Sequence, residues 1–225
     1  MRDRYPVYSF CNIVQRLTLR LFADYKVEGK ENVPPMGPLI VVANHQSNLD
    51  PPILAASLSR RIWFLAKDGI FRGRIVNWFL SSYGAFPLDR SGSDLRAYRW
   101  ALNKLERDQV LVLFPEGTRS KGSMNKAMPG VARLALKTGA PLLPVGIAGT
   151  EHMGHWMRTV NPTGKIRVNI GTAFSLPSID GRPSREVLGS LTDMIMQRVA
   201  ALLPERYRGV YGIEPSTRAM TPGPR

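Results

Sequence analysis

The chain has 225 residues, 44% hydrophobic and 21% charged, a balance that provides one apolar core and excludes an intrinsically disordered chain. Thirty-one Lys and Arg against seventeen Asp and Glu leave a net charge of +14, which draws a protein to polyanions: nucleic acid, anionic lipid headgroups or a phosphorylated substrate. The single cysteine, Cys11, excludes an intrachain disulfide and a cysteine-based metal cluster.

In chain order, residues 8–24 read as an amphipathic helix. Phe10, Ile13, Val14, Leu17 and Leu21 share one face, and Asn12, Arg16 and Arg20 occupy another. An apolar stripe beside a basic one suits a helix lying in a membrane interface; the alternative is a helix whose apolar face packs on its own domain. Arg16 and Arg20 interrupt what would be the apolar core of a cleavable signal. No apolar run approaches the ~20 residues that cross a bilayer, so a peripheral protein at the cytoplasmic face of a membrane is expected.

The segment Val33-Pro34-Pro35-Met36-Gly37-Pro38 reads as a loop, and residues 39–43 (Leu-Ile-Val-Val-Ala) as a buried strand. Further strands are expected at 62–66, 110–114, 142–147 and 166–170. Helical patterns lie around 70–81 and at 94–107, 130–139 and 185–203. Strands alternating with helices indicate a single α/β domain, its mixed and mostly parallel central sheet flanked by helices. The expected divisions are an interface helix at 1–26, a catalytic domain at 27–206 and a mobile tail at 207–225, which is rich in Gly, Pro and Thr.

Chemistry-bearing residues gather beyond the strand ends. In Asn44-His45-Gln46-Ser47-Asn48-Leu49-Asp50, His45 and Asp50 stand five apart, with Pro51-Pro52 marking a helix start near Asp50. Imidazole takes a proton from a hydroxyl near neutral pH, and a carboxylate on its other nitrogen fixes the tautomer. No Gly-x-Ser-x-Gly elbow occurs, and Ser47 lacks that context, so the attacking hydroxyl is assigned to the substrate. At the end of strand 110–114 comes Phe114-Pro115-Glu116-Gly117-Thr118-Arg119-Ser120. Its glycine permits close backbone approach, its hydroxyls can donate, and Arg119 offers a bidentate fork for phosphate, with Lys121 and Lys126 adding positive field. Arg90, closing Gly84-Ala85-Phe86-Pro87-Leu88-Asp89-Arg90, and Lys67, after strand 62–66, are further anion ligands. Leu143-Pro144-Val145-Gly146-Ile147-Ala148-Gly149-Thr150 is a strand opening into a turn of small residues.

These four segments, in this order, resemble the four blocks of the glycerolipid acyltransferase family, the PlsC-type lysophosphatidate acyltransferases. The likeness spans roughly residues 27–176; the second block departs from the family at Pro87, where Ile or Val is commoner. The resemblance implies that His45 is the general base and Asp50 orients it, and that Arg90, Glu116, Gly117, Thr118 and Arg119 bind the acceptor. Lys67 joins them by its own placement. Pro144, Val145 and Gly146 would place the acyl donor. It implies acyl transfer from acyl-CoA or acyl carrier protein to the 2-hydroxyl of 1-acylglycerol 3-phosphate, forming phosphatidic acid, without cofactor or metal. Expected partners are the lysophospholipid, the acyl donor and a membrane surface with anionic lipids, but no nucleic acid. An oxyanion donor is expected among backbone N–H groups near His45 or Gly117.

The competing readings are another acceptor, such as glycerol 3-phosphate or a different lysolipid, and a non-catalytic basic lipid-binding protein. A zinc site from His45, His152 and His155 would use all three histidines, without carboxylate support. A nucleic-acid binder would explain the charge, but the basic residues are spread along the chain and form no recognisable motif.

Overall fold

The computed structural model describes residues 5–212 apart from 93, 121, 155, 160 and 180. In chain order the elements are α1 (Pro6–Phe22), β1 (Ala23–Glu28), β2 (Leu39–Ala43), α2 (Asp50–Ser57), β3 (Ile62–Lys67), α3 (Arg74–Tyr83) and β4 (Ala85–Leu88). They continue with α4 (Leu95–Glu106), β5 (Val110–Leu113), α5 (Gly130–Thr138), β6 (Leu142–Ala148), β7 (Gly164–Ile170) and α6 (Arg185–Ala201). Local chemistry sets several boundaries. Asp94 caps α4 by accepting from the N–H groups of Arg96 and Ala97, and Ser184 caps α6 through Val187 N–H. Gly84 ends α3 at φ 114°, where a Cβ would sit 2.8 Å from the Ile62 carbonyl oxygen, so the turn into β4 requires glycine.

Among the described residues the strands form one sheet in the order β1-β7-β6-β2-β5-β3-β4. Every pairing is parallel except β6 with β7. This is the expected α/β domain. β2 is central and buried on both faces. Leu39, Val41 and Ala43 join one core with α1 and α2, while Ile40 and Val42 join another with α4, α5 and α6. Burial on both sides is why its sequence is continuously apolar rather than alternating. Val42 lies beside Leu113 and Ala43 beside Val145, so the C-terminal ends of β2, β5 and β6 stand together. Loops from three parallel strands are thereby delivered to one place.

Two strands escape the sequence pattern. β1 is a half-exposed edge strand whose first residues read as the end of the preceding helix, and β4 is a four-residue edge strand containing Pro87.

The first helix is turned the other way from a core-packing amphipathic helix. Tyr8, Asn12, Gln15, Thr18 and Leu19 are its buried residues, whereas Phe10, Ile13, Leu17 and Leu21 are 69%, 65%, 55% and 65% exposed. Its polar side is used internally. Tyr8 Oη accepts from Ile62 N–H, Tyr83 donates to Asn12 Oδ1, and Arg16 Nε donates to the Ala56 carbonyl near the end of α2. α3 likewise exposes Ile75 (81%) and Trp78 (61%), and the two helices pack together. No helix of the described residues is long and apolar enough to cross a membrane.

Residues 207–212, expected to begin a mobile tail, are held to the domain instead. Tyr207 and Tyr211 are buried, Met124 N–H donates to the Tyr207 carbonyl, and Ala127 N–H donates to Tyr211 Oη. The rest of that tail, 213–225, lies outside the described residues.

Candidate active site

The loop leaving β2 is organised around one carboxylate. Asp50 is the first residue of α2 and fully buried. Its Oδ2 accepts from Gln46 N–H at 2.6 Å and Ser47 N–H at 2.8 Å, and lies 2.8 Å from His45 Nδ1. Its Oδ1 accepts from Thr150 Oγ1 at 2.7 Å. A buried carboxylate persists only with such partners. Because Oδ2 acts as an acceptor throughout, the hydrogen of the imidazole is assigned to Nδ1. Nε2 is left without a partner among the described residues, the arrangement required of a general base.

Other contacts fix the rest of His45. Its ring stacks on Phe114, centroids 4.3 Å apart and planes inclined by 28°. Its N–H donates to Glu116 Oε1 at 2.8 Å, and its carbonyl accepts from Ser120 N–H at 2.7 Å and from Ser120 Oγ at 3.0 Å. The turn between those two grips is closed by Gly117 N–H to the Phe114 carbonyl, with Gly117 at φ 67°. The other Glu116 oxygen accepts from Asn125 N–H at 2.8 Å. Burial pushes the Glu116 carboxyl above the usual carboxylate range, against the backbone donors that pull it down. On the far side, Asn44 exchanges two 2.8 Å hydrogen bonds with the backbone of Ile147, extending the β2–β6 ladder through a side chain.

The structure sorts the residues singled out from sequence. His45, Arg90 and Gly117 line one cavity. Thr118 and Arg119 are exposed on the Gly117 turn, and Lys67 is exposed at the end of β3. Glu116 departs from the expected acceptor contact: it is 5% exposed, with both oxygens taken by backbone N–H groups. Pro144, Val145 and Gly146 line no part of the cavity, contrary to their expected place beside the acyl donor. Every residue of β6 is buried between β2 and β7, and Gly146 abuts Leu202. Lys126 is engaged by Asp193 at 2.7 Å, and Lys121 lies outside the described residues.

Ser47 is fully buried and donates to the Met153 carbonyl at 2.6 Å, so its hydroxyl is committed. The N–H groups of His45, Gln46, Ser47 and Gly117 are all taken, which removes them as oxyanion donors. His152 lies 3.7 Å from Glu151, and no group of three potential metal ligands occurs among the described residues; His155 lies outside them. Sequence reasoning missed Thr150, Ser120, Asn44 and Phe114 as supports. Each lies within a motif, but no local spacing shows what it touches.

The cavity has a volume of about 800 Å³, within the ordinary range for a small-molecule site. β3 and β5 pair only from Ile62–Val110 to Phe64–Val112, after which Leu65 and Leu113 become cavity walls. The space therefore has walls on both faces of the sheet: Val14 and Leu80 on the α1–α3 side, Ala101 and Leu134 on the α4–α5 side. Its lining is mostly apolar and includes His45, a composition that suits a hydrocarbon chain.

A family model described as acyltransferase matches residues 24–148. The 1-acyl-sn-glycerol-3-phosphate acyltransferase of Bacillus subtilis is 26% identical over 87% of this chain and 96% of its own length. A chloroplastic 1-acyl-sn-glycerol-3-phosphate acyltransferase of Brassica napus is 33% identical over 66% of this chain, which spans 45% of that longer protein. The crystal structure of the 1-acyl-sn-glycerophosphate acyltransferase PlsC from Thermotoga maritima superimposes with a TM-score of 0.67. It is 32% identical, and the match covers 90% of this chain and 83% of that one.

Proposed function

The chain belongs to the acyltransferase family, and on that premise we propose that it acylates the 2-hydroxyl of 1-acylglycerol 3-phosphate to form phosphatidic acid. The observation that carries the reading is His45, held through Nδ1 by a buried Asp50 and lining an apolar cavity. The relatives named above act on this acceptor. Nε2 of His45 takes the hydroxyl proton as the oxygen attacks the thioester carbonyl of acyl-CoA or acyl carrier protein. The tetrahedral intermediate collapses, the C–S bond breaks, and the imidazolium returns the proton to the thiolate. Asp50 holds the ring and stabilises its charged form. No step calls on a metal or cofactor.

Arg90, at the cavity, and Arg119, beside Gly117, carry no ion pair among the described residues and are the ligands proposed for the acceptor phosphate. Lys67 adds a third positive charge. The split between β3 and β5 receives an acyl chain.

The acceptor arrives from a bilayer. The outward apolar faces of α1 and α3, with cavity walls between them, suit a membrane surface rather than water. Arg72 and Arg74 flank the α3 face, and each basic residue near an anionic surface contributes about 1 kcal/mol. A cytoplasmic thioester as donor supports a reaction at the cytoplasmic leaflet.

Thiol release measured with a panel of acceptors and both donor types tests the assignment. Release that depends on 1-acylglycerol 3-phosphate is expected. Release only with glycerol 3-phosphate or with a phosphate-free lysolipid would replace the acceptor.

A further inference from the structure

We infer that Glu116 is a positioning residue for His45, acting through the main chain of the loop that carries the base and not by contact with the acceptor. The inference rests on the acyl-transfer reading and deepens it.

The turn 114–120 meets His45 at three points: the Phe114 ring, Glu116 at the N–H, and Ser120 at the carbonyl. Ring and backbone are thus fixed from one side by one turn, while Asp50 fixes Nδ1 from another. Glu116 also ties this assembly to the body of the protein. Its second oxygen holds Asn125, and the neighbouring Met124 is bonded to Tyr207 and Val210 and buried in the core beneath α6.

Two physical arguments separate this role from acceptor binding. A carboxylate has no donor to offer a phosphate and repels it, whereas Arg119 on the same turn and Arg90 after β4 are exposed. Burying a carboxylate is also unfavourable, and burial pushes the Glu116 carboxyl above its usual range. Its presence is explained by the need for two acceptors facing two N–H groups. Glutamine supplies only one, because its amide nitrogen would face a donor.

The test compares wild-type protein with Glu116→Gln by steady-state thiol release, varying 1-acylglycerol 3-phosphate. Misplacing a base by ~1 Å costs up to about 100-fold, so kcat is expected to fall ~10- to ~100-fold. The acceptor KM should stay within about twofold, the signature of a group that does not bind ground-state acceptor. A tenfold or greater rise in that KM with kcat unchanged would overturn the inference. Glu116→Asp, which keeps the charge with a shorter reach, is expected to recover part of kcat. In wild-type protein selectively labelled with ¹³C at Glu116, the carboxylate resonance should stay in place when 1-acylglycerol 3-phosphate is added. A displacement on binding would overturn the inference even if no variant folds. Should wild-type protein prefer another acceptor, the acceptor assignment fails, and the same kcat and KM comparison with that acceptor still decides the role of Glu116.

Discussion

Thr150 Oγ1 donates to Asp50 Oδ1 at 2.7 Å, although one hundred residues separate the two in sequence. Both are fully buried, so the bond joins the turn after β6 to the carboxylate that orients His45. Thr150→Val keeps the shape and removes the donor. The expected loss is about 1–3 kcal/mol of stability, because a buried charged acceptor is left short of a partner. Urea unfolding measures it, and thiol release should show lower kcat at unchanged acceptor KM. A valine variant as stable and as active as wild type would mean that the bond supports neither fold nor base.

Asp50→Asn is expected to be far more damaging to turnover. With its nitrogen at the Oδ2 position the amide would face the donors of His45, Gln46 and Ser47 and lose the tautomer of His45; with its nitrogen turned to Thr150 it would keep the acceptor but no longer carry the charge that stabilises the imidazolium. Loss of a tautomer-fixing carboxylate costs on the order of 10³-fold or more in kcat. The assay is single-turnover acyl transfer on folded protein, and a loss below about tenfold would detach Asp50 from the chemistry.

How much of this was legible beforehand depends on distance along the chain. His45 and Asp50 are five residues apart on one strand-to-helix turn, so local spacing exposes them. Glu116 meets His45 across 71 residues and Thr150 meets Asp50 across 100. Only the sheet order, which sets β5 and β6 on either side of β2, brings them in. Periodicity correctly groups Phe10, Ile13, Leu17 and Leu21 on one face of α1. It does not say which side turns inward, and here the side carrying Tyr8, Asn12 and Gln15 does, with Tyr8 and Asn12 bonded to the domain, while Arg16 and Arg20 stay exposed. The Pro144–Gly146 stretch shows the converse: an apolar strand beside a motif reads as a substrate wall, whereas its residues are buried in the sheet between β2 and β7.

Arg119→Ala should act on binding. Exposed on the Gly117 turn and without an ion pair among the described residues, Arg119 contributes little to the fold. The acceptor KM is expected to rise about tenfold or more with kcat nearly constant, as for loss of a charge-assisted phosphate contact. An unchanged dependence on acceptor concentration would remove Arg119 from the phosphate site.

The paired change Ile13→Asp with Leu17→Asp tests the outward face of α1. Both side chains are more than half exposed, at 65% and 55%, so folding stability should change by no more than ~0.5 kcal/mol for each. Co-sedimentation with anionic liposomes should drop steeply. Retention equal to wild type would mean that α1 is not the contact and would shift attention to Ile75 and Trp78 of α3.

The most direct measurement is the rate of thiol release by a folded His45→Ala protein with saturating acyl donor and 1-acylglycerol 3-phosphate. Removing a general base predicts a loss of at least ~100-fold, with liposome binding intact because the apolar faces of α1 and α3 are untouched. Near-normal turnover by that protein would contradict the account, since the imidazole held between Asp50 and Phe114 would then not be the group that takes the proton.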